Sequence, residues 1–221
     1  MFFIKTPQKI YEACLRFPVR FPNFYFSIFS FKNCNCGEAK GLKIIGGTGT
    51  EVNEYPWQVG IAFVGLSDGE TPVCGGSIIS DLHILTAAHC TLYPQLSPAQ
   101  SQQVIRVSVG EYSITDDDIH IRTISSVTIH PGYNQENLAN DLAILTLSSP
   151  LAFSKAIAPI CLPATSSNTF AGETATVIGW GRTSPGGNQS TSLQEVDLTV
   201  TSNDYCKTNY SDLADPWPIL R

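Results

Sequence analysis

The stretch that decides the fold reads Cys74-Gly75-Gly76-Ser77, then the strand-like residues 78–85, then Thr86-Ala87-Ala88-His89-Cys90. Residues 78–85 have the length and β-favouring content of a strand, and the segment ends by setting a histidine beside a cysteine. Cys74 lies 16 residues before Cys90, a spacing that can staple the turn bearing His89. Further on, Asn140-Asp141-Leu142-Ala143 enters the nearly continuous apolar run 142–147, read as a strand covered on both faces with a carboxylate at its head. An Asp beside a His has a chemical use. It accepts the Nδ1 proton, fixes the tautomer that leaves Nε2 free as a general base, and stabilises the imidazolium that forms.

The surroundings are β-rich. Val59, Ile61 and Phe63 alternate with small residues, Ile105, Val107 and Val109 with Arg106 and Ser108, and Val196, Leu198 and Val200 with Asp197, Thr199 and Thr201. Each predicts a strand with one face buried. No long helical period occurs from residue 44 onward, so short strands separated by turn residues predict an all-β sandwich or barrel.

Composition narrows the function. The 221 residues are 43% hydrophobic and 14% charged, which suits a folded core, and the net charge of -6 argues against a nucleic-acid partner. No uncharged apolar run approaches the roughly 20 residues of a membrane helix, so no integral membrane segment is expected. Seven cysteines favour an oxidising, secreted setting, and the odd number leaves at least one unpaired. Eight of the eleven Phe fall in the first 31 residues, alongside Lys5, Lys9, Arg16, Arg20 and Lys32. That segment has the positive flank of a secretory signal without its layout: the uncharged residues 21–31 contain Pro22 and Asn23 and lack a small-x-small cleavage site. It reads either as an imperfect signal or as sequence foreign to the domain, with no recognisable element of its own.

Five blocks in order resemble the chymotrypsin-like (trypsin-fold) serine endopeptidases, from about Cys36 to Cys206. They are Ile44-Ile45-Gly46-Gly47; Tyr55-Pro56-Trp57-Gln58-Val59; Cys74-Gly75-Gly76-Ser77 with Ala87-Ala88-His89-Cys90; Asn140-Asp141-Leu142-Ala143; and Cys161-Leu162-Pro163 with Gly179-Trp180-Gly181. The resemblance implies an all-β double antiparallel barrel over residues 44–221, behind an N-terminal pro-segment of residues 1–43. It implies His89 as general base and Asp141 as its orienting carboxylate. Lys43-Ile44 would be the junction cleaved by an activating protease, freeing the Ile44 amine to pair with a buried Asp. It further implies a Cys74–Cys90 disulfide, and one from Cys161 to either Cys34 or Cys36 that keeps the pro-segment tethered. Cys14 and Cys206 stay unassigned. Substrates would be proteins or peptides, the protein a monomer, with no cofactor and no metal.

One part of the pattern is absent. The family's serine follows its Asp by roughly ninety residues, and 80 residues follow Asp141 here. None of their serines stands in Gly-Asp-Ser-Gly-Gly. Ser184 precedes Pro185, which lacks the backbone donor an oxyanion site uses, so it reads as a turn. Ser77 belongs to the strand before the histidine loop. The expectation is therefore a second barrel truncated before the nucleophile, the oxyanion hole and the closing strands, with open edges that invite aggregation, and no activity in the chain as it stands. Lesser features are two sequons, at Asn188 and Asn209, and the acidic group Glu111, Asp116, Asp117 and Asp118, read as solvated loop charge rather than a calcium site. Cys34-Asn35-Cys36 is read as disulfide chemistry rather than a metal site. His83, His120 and His130 are read as strand-end or loop residues.

Overall fold

The computed structural model describes residues 19–21, 24–26, 36–39, 49–65, 71–115, 120–163, 169–184 and 186–209. Lys43, Ile44, Cys14, Cys34 and Asp116 to Asp118 lie outside them. In chain order the elements are β1 (Val19–Phe21), β2 (Phe24–Phe26), β3 (Gln58–Phe63), β4 (Cys74–Ile78), β5 (His83–Thr86), a 3₁₀ turn (His89–Thr91), α1 (Pro98–Val104), β6 (Ile105–Val109), β7 (His120–Ile129), β8 (Ala143–Leu147), β9 (Thr174–Gly179), β10 (Gln194–Thr199) and α2 (Asn203–Asn209).

Six strands close a barrel in the order β3-β4-β5-β8-β7-β6. Every pairing is antiparallel, and closure comes from β6 returning to β3 with Ile61 opposite Val107. Val59, Ile61, Ile78, Ile84, Ile105, Val107 and Leu145 fill the interior at 0% exposure. A closed barrel has no free edge, so the alternation of these aliphatic residues is satisfied all round.

Several sequence expectations need correction. Strand β3 is buried on both faces, because its small residues are small for a reason: a Cβ on Gly60 would stand 2.6 Å from Ser108 Oγ and 2.8 Å from Pro72 Cγ. Strand β8 is not covered on both faces; Ala143, Leu145 and Leu147 point inward while Ile144 and Thr146 are half-buried. Residues 78–85 are not one strand but the end of β4, a turn and β5. Ser80 makes the turn, its Oγ accepting from the N–H groups of Leu82 and His83 at 3.2 and 3.1 Å. The phenylalanine-rich segment, expected to form no element, contains the β1–β2 hairpin, consistent with the β preference of Val-Arg-Phe and Phe-Tyr-Phe.

Strands β9 and β10 form a separate two-stranded sheet, so the second barrel is incomplete among the described residues. It is fastened to the first: Trp180 Nε1 donates to Tyr112 O at 3.1 Å, Leu193 N–H donates to the same carbonyl at 2.9 Å, and Trp57, Ile178, Trp180 and Leu193 join the common core. On β10, Glu195 accepts from the Tyr55 hydroxyl and Asp197 from Thr176 Oγ1. Val196 and Leu198 therefore share the opposite side and stand 42% and 53% exposed. The alternation placed them together, but no described strand covers them. The helices are short, and α1 is announced by Ser97-Pro98-Ala99-Gln100: Ser97 and Gln100 form a capping box with Pro98 in the first turn.

Candidate active site

The register of β5 and β8 builds the site. Thr86, the last residue of β5, lies opposite Ala143, the first of β8. Residues just after 86 and just before 143 must therefore meet at one end of the barrel, which is where His89 and Asp141 stand. Ala87 and Ala88 are buried at 1% and 0% exposure, and the chain then enters the 3₁₀ turn that bears His89. Thr86 Oγ1 ties this end to Gly75 O at 2.8 Å, and Thr91 Oγ1 donates to Ala88 O at 2.8 Å. Cys90 is disulfide-bonded to Cys74 on β4. A second disulfide joins Cys36 to Cys161 across 125 residues, and Gly37, at φ +67, lies where a Cβ would come 3.1 Å from Cys161 Sγ.

Asp141 accepts from His89 twice. The His89 backbone N–H donates to Oδ1 at 2.9 Å, and Nδ1 lies 2.6 Å from Oδ2. The Asp141 side chain is 10% exposed and that of His89 38%. A carboxylate so sheltered needs donors on both oxygens, and one residue supplies both. Because the carboxylate can only accept, Nδ1 carries the proton and neutral His89 keeps its lone pair on Nε2. Nε2 lies 3.4 Å from Cys90 Sγ, a disulfide sulfur with no proton to give. The arrangement can take a proton at Nε2 and stabilise the resulting cation.

The charge of Asp141 is felt nearby. Tyr133 is pushed above the ordinary tyrosine range, first by burial and then by Asp141, and its hydroxyl has no hydrogen-bond partner among the described residues. Nothing in its sequence context singled it out. Cys74, His89 and Cys90 bring three ligand-type atoms within 4.8 Å of one another, but metals take thiolates and these sulfurs are bonded to each other. The donor set does not fit a metal.

The other sequence candidates are dispersed. Ser77 is fully buried in β4. Ser184 is exposed in a turn closed by Gly187 N–H donating to Ser184 O at 3.0 Å, with Gly186 at φ +72. Glu111 accepts from Ser108 Oγ. His83 opens β5 with Nδ1 2.8 Å from Ser80 Oγ, His120 opens β7, and His130 Nδ1 accepts from Gly132 N–H at 3.1 Å. Asn188 is exposed, while Asn209 Nδ2 donates to Tyr205 O at 2.8 Å.

The Trypsin family profile matches residues 44–215. The chain belongs to the trypsin family of serine proteases. A venom serine protease of Polistes dominula is 38% identical over 184 residues, covering 81% of this chain and 63% of the relative. Phenoloxidase-activating factor 3 of Holotrichia diomphalia is 34% identical over 192 residues, covering 80% of this chain and 53% of the relative. A venom protease of Bombus pensylvanicus is 36% identical over 180 residues, covering 78% and 72%. The chain thus spans 63% and 53% of the first two relatives. The described residues contain two disulfides and a closed six-stranded barrel, and no helix among them is long and apolar enough to cross a membrane.

Proposed function

We propose that these residues belong to a secreted serine endopeptidase, made as a zymogen, that hydrolyses protein or peptide substrates. The observation that carries this is the Asp141–His89 pair at 2.6 Å. In this role Asp141 holds the tautomer, His89 Nε2 takes the proton of a serine hydroxyl as its oxygen attacks the scissile carbonyl, and the same nitrogen returns the proton to the leaving amine. An acyl-enzyme forms and water releases it. The 221 residues contain no Gly-Asp-Ser-Gly-Gly, so this reading requires a nucleophile and oxyanion donors that these residues do not supply.

Cleavage after Lys43 by an activating protease would generate the Ile44 amine. Cys36 precedes that junction and Cys161 follows it, so their disulfide would hold the cut pro-segment in place. Two disulfides and relatives named as venom proteases support an extracellular setting. The absent serine motif favours a second reading, a catalytically silent homologue that works by binding a partner. Sequencing the native transcript past the codon for Arg221, with fluorophosphonate labelling of the native protein, separates the two. Read-through into Gly-Asp-Ser-Gly-Gly, with labelling that disappears in His89→Ala, supports the endopeptidase. A stop at Arg221 with a soluble, protease-resistant, unlabelled product supports the binding module.

A further inference from the structure

We propose that Asn140 is a positioning residue that aims Asp141 at His89 through a side-chain clamp across the base of the 130–142 loop. This rests on the pairing role given to His89 and Asp141 above. Asn140 stands immediately before Asp141 and has φ +55, a left-handed backbone that side-chain-bearing residues rarely adopt and that Asn tolerates best. In that conformation its Nδ2 reaches across the loop and donates to Gly132 O at 2.8 Å. The carbonyl of Asn140 accepts from Leu142 N–H at 2.8 Å. Asp141 is thereby the central residue of a three-residue turn, with its own φ outside the positive region.

The opposite limb is equally tied. His130 N–H donates to Leu142 O at 2.9 Å, and Gly132 N–H donates to His130 Nδ1 at 3.1 Å. Asn134 N–H donates to Ala139 O at 3.0 Å and closes the loop above the clamp. Gly132 leaves room for the clamp, since a Cβ there would stand 3.0 Å from Asn140 Nδ2. With the backbone fixed on both sides, Asp141 directs its carboxylate to both donors of His89 without searching for the geometry. Asn supplies two properties at once, the left-handed backbone and a lateral donor. Gly would supply only the first, and Ala neither.

The test uses the full chain labelled with ¹⁵N-histidine. NMR reads how fast the His89 Nδ1 proton exchanges with water in the native protein, Asn140→Gly and Asn140→Ala, with thermal unfolding followed in parallel. Loss of the clamp should speed exchange roughly 2- to 10-fold in both variants, the weight of one hydrogen bond, at temperatures where they stay folded. Ala should show the larger effect because it adds backbone strain. An Asn140→Gly rate equal to the native one overturns the clamp, and decides the matter even where Asn140→Ala does not fold. Equal acceleration of the β3 and β6 amides, far along the barrel, also overturns it, because that reports lost global stability rather than lost positioning. A native protein with no protected Nδ1 proton would instead remove the His89–Asp141 pairing itself, and the clamp with it.

Discussion

Asp141 engages His89 through both carboxylate oxygens, one on the backbone N–H at 2.9 Å and one on Nδ1 at 2.6 Å. The first bond fixes where the turn lies and the second fixes which nitrogen holds the proton. Asp141→Asn keeps the shape but turns one acceptor into a donor that faces a donor. The protein should lose about 1–3 kcal/mol of stability, and His89 should shift from the Nδ1–H tautomer to a mixture, visible in its imidazole ¹⁵N shifts. If the proposed endopeptidase activity is present, kcat should fall roughly 10⁴-fold, as expected when a triad histidine is held in the wrong tautomer. An unchanged tautomer in Asp141→Asn would sink this account.

Gly76 explains part of the Cys74-Gly75-Gly76-Ser77 block by packing. A Cβ there would lie 2.9 Å from Leu85 O, a backbone atom, and 2.9 Å from Ile84 Cγ2. Gly76→Ala must push β4 from β5, the strand that leads to His89. The expected cost is about 1–3 kcal/mol, or a fall in Tm of roughly 2–12 °C. Gly181→Ala is the control, since nothing lies within 4 Å of its added Cβ, and it should stay within about 0.5 kcal/mol of native. Equal effects from the two changes in a urea titration would refute the packing argument.

Much of this is legible in the sequence, and the remainder fails for identifiable reasons. The alternation of Ile105, Val107 and Val109 gives a strand and its buried face, because in a closed barrel one face always points inward. The same alternation at Val196 and Leu198 gives the shared side but not its exposure, since period two says nothing about what covers a face. Closure through β6 and β3 is a non-local pairing that no residue announces. At the site, His89 and Asp141 are visible as types beside strand ends, whereas the Thr86–Ala143 register that makes them meet is not. Helix α1 is too short for a period to show, though Ser97, Pro98 and Gln100 mark its start. The left-handed backbone at Asn140 leaves only the identity of the residue as its trace.

Tyr55 links the barrel to the second sheet. Its ring lies edge-on to Trp57 at 5.8 Å and its hydroxyl donates to Glu195 on β10. Burial first, then the bond to Glu195 and the carboxylate charge, push its pKa above the ordinary tyrosine value of 10.0. The folded state therefore keeps a proton that the unfolded chain releases. Its contribution is complete below about pH 10 and declines as pH rises beyond that. Tyr55→Phe should cost about 1 kcal/mol at neutral pH and should show a shallower alkaline loss than the native protein in urea titrations. A parallel alkaline limb in the variant would show that the Tyr55 proton is not linked to folding.

His83 sets the opposite limb. It opens β5 half-buried, opposite Thr146 on β8, with Nδ1 2.8 Å from Ser80 Oγ. Burial lowers its pKa from the ordinary 6.5, and the nearby Asp81 charge only partly opposes that. Between the two values the unfolded chain binds a proton that the folded protein refuses, so stability rises with pH there. The neutral histidine contributes fully above about pH 6.5, and the contribution drains away as pH falls below it. His83→Gln preserves a polar side chain without a titrating group. Urea midpoints measured at about pH 7.5 and about pH 5.5 should fall further on acidification in the native protein than in His83→Gln, because His89, His120 and His130 are common to both. Equal falls would place the acid sensitivity elsewhere and return His83 to a purely structural role at the start of β5.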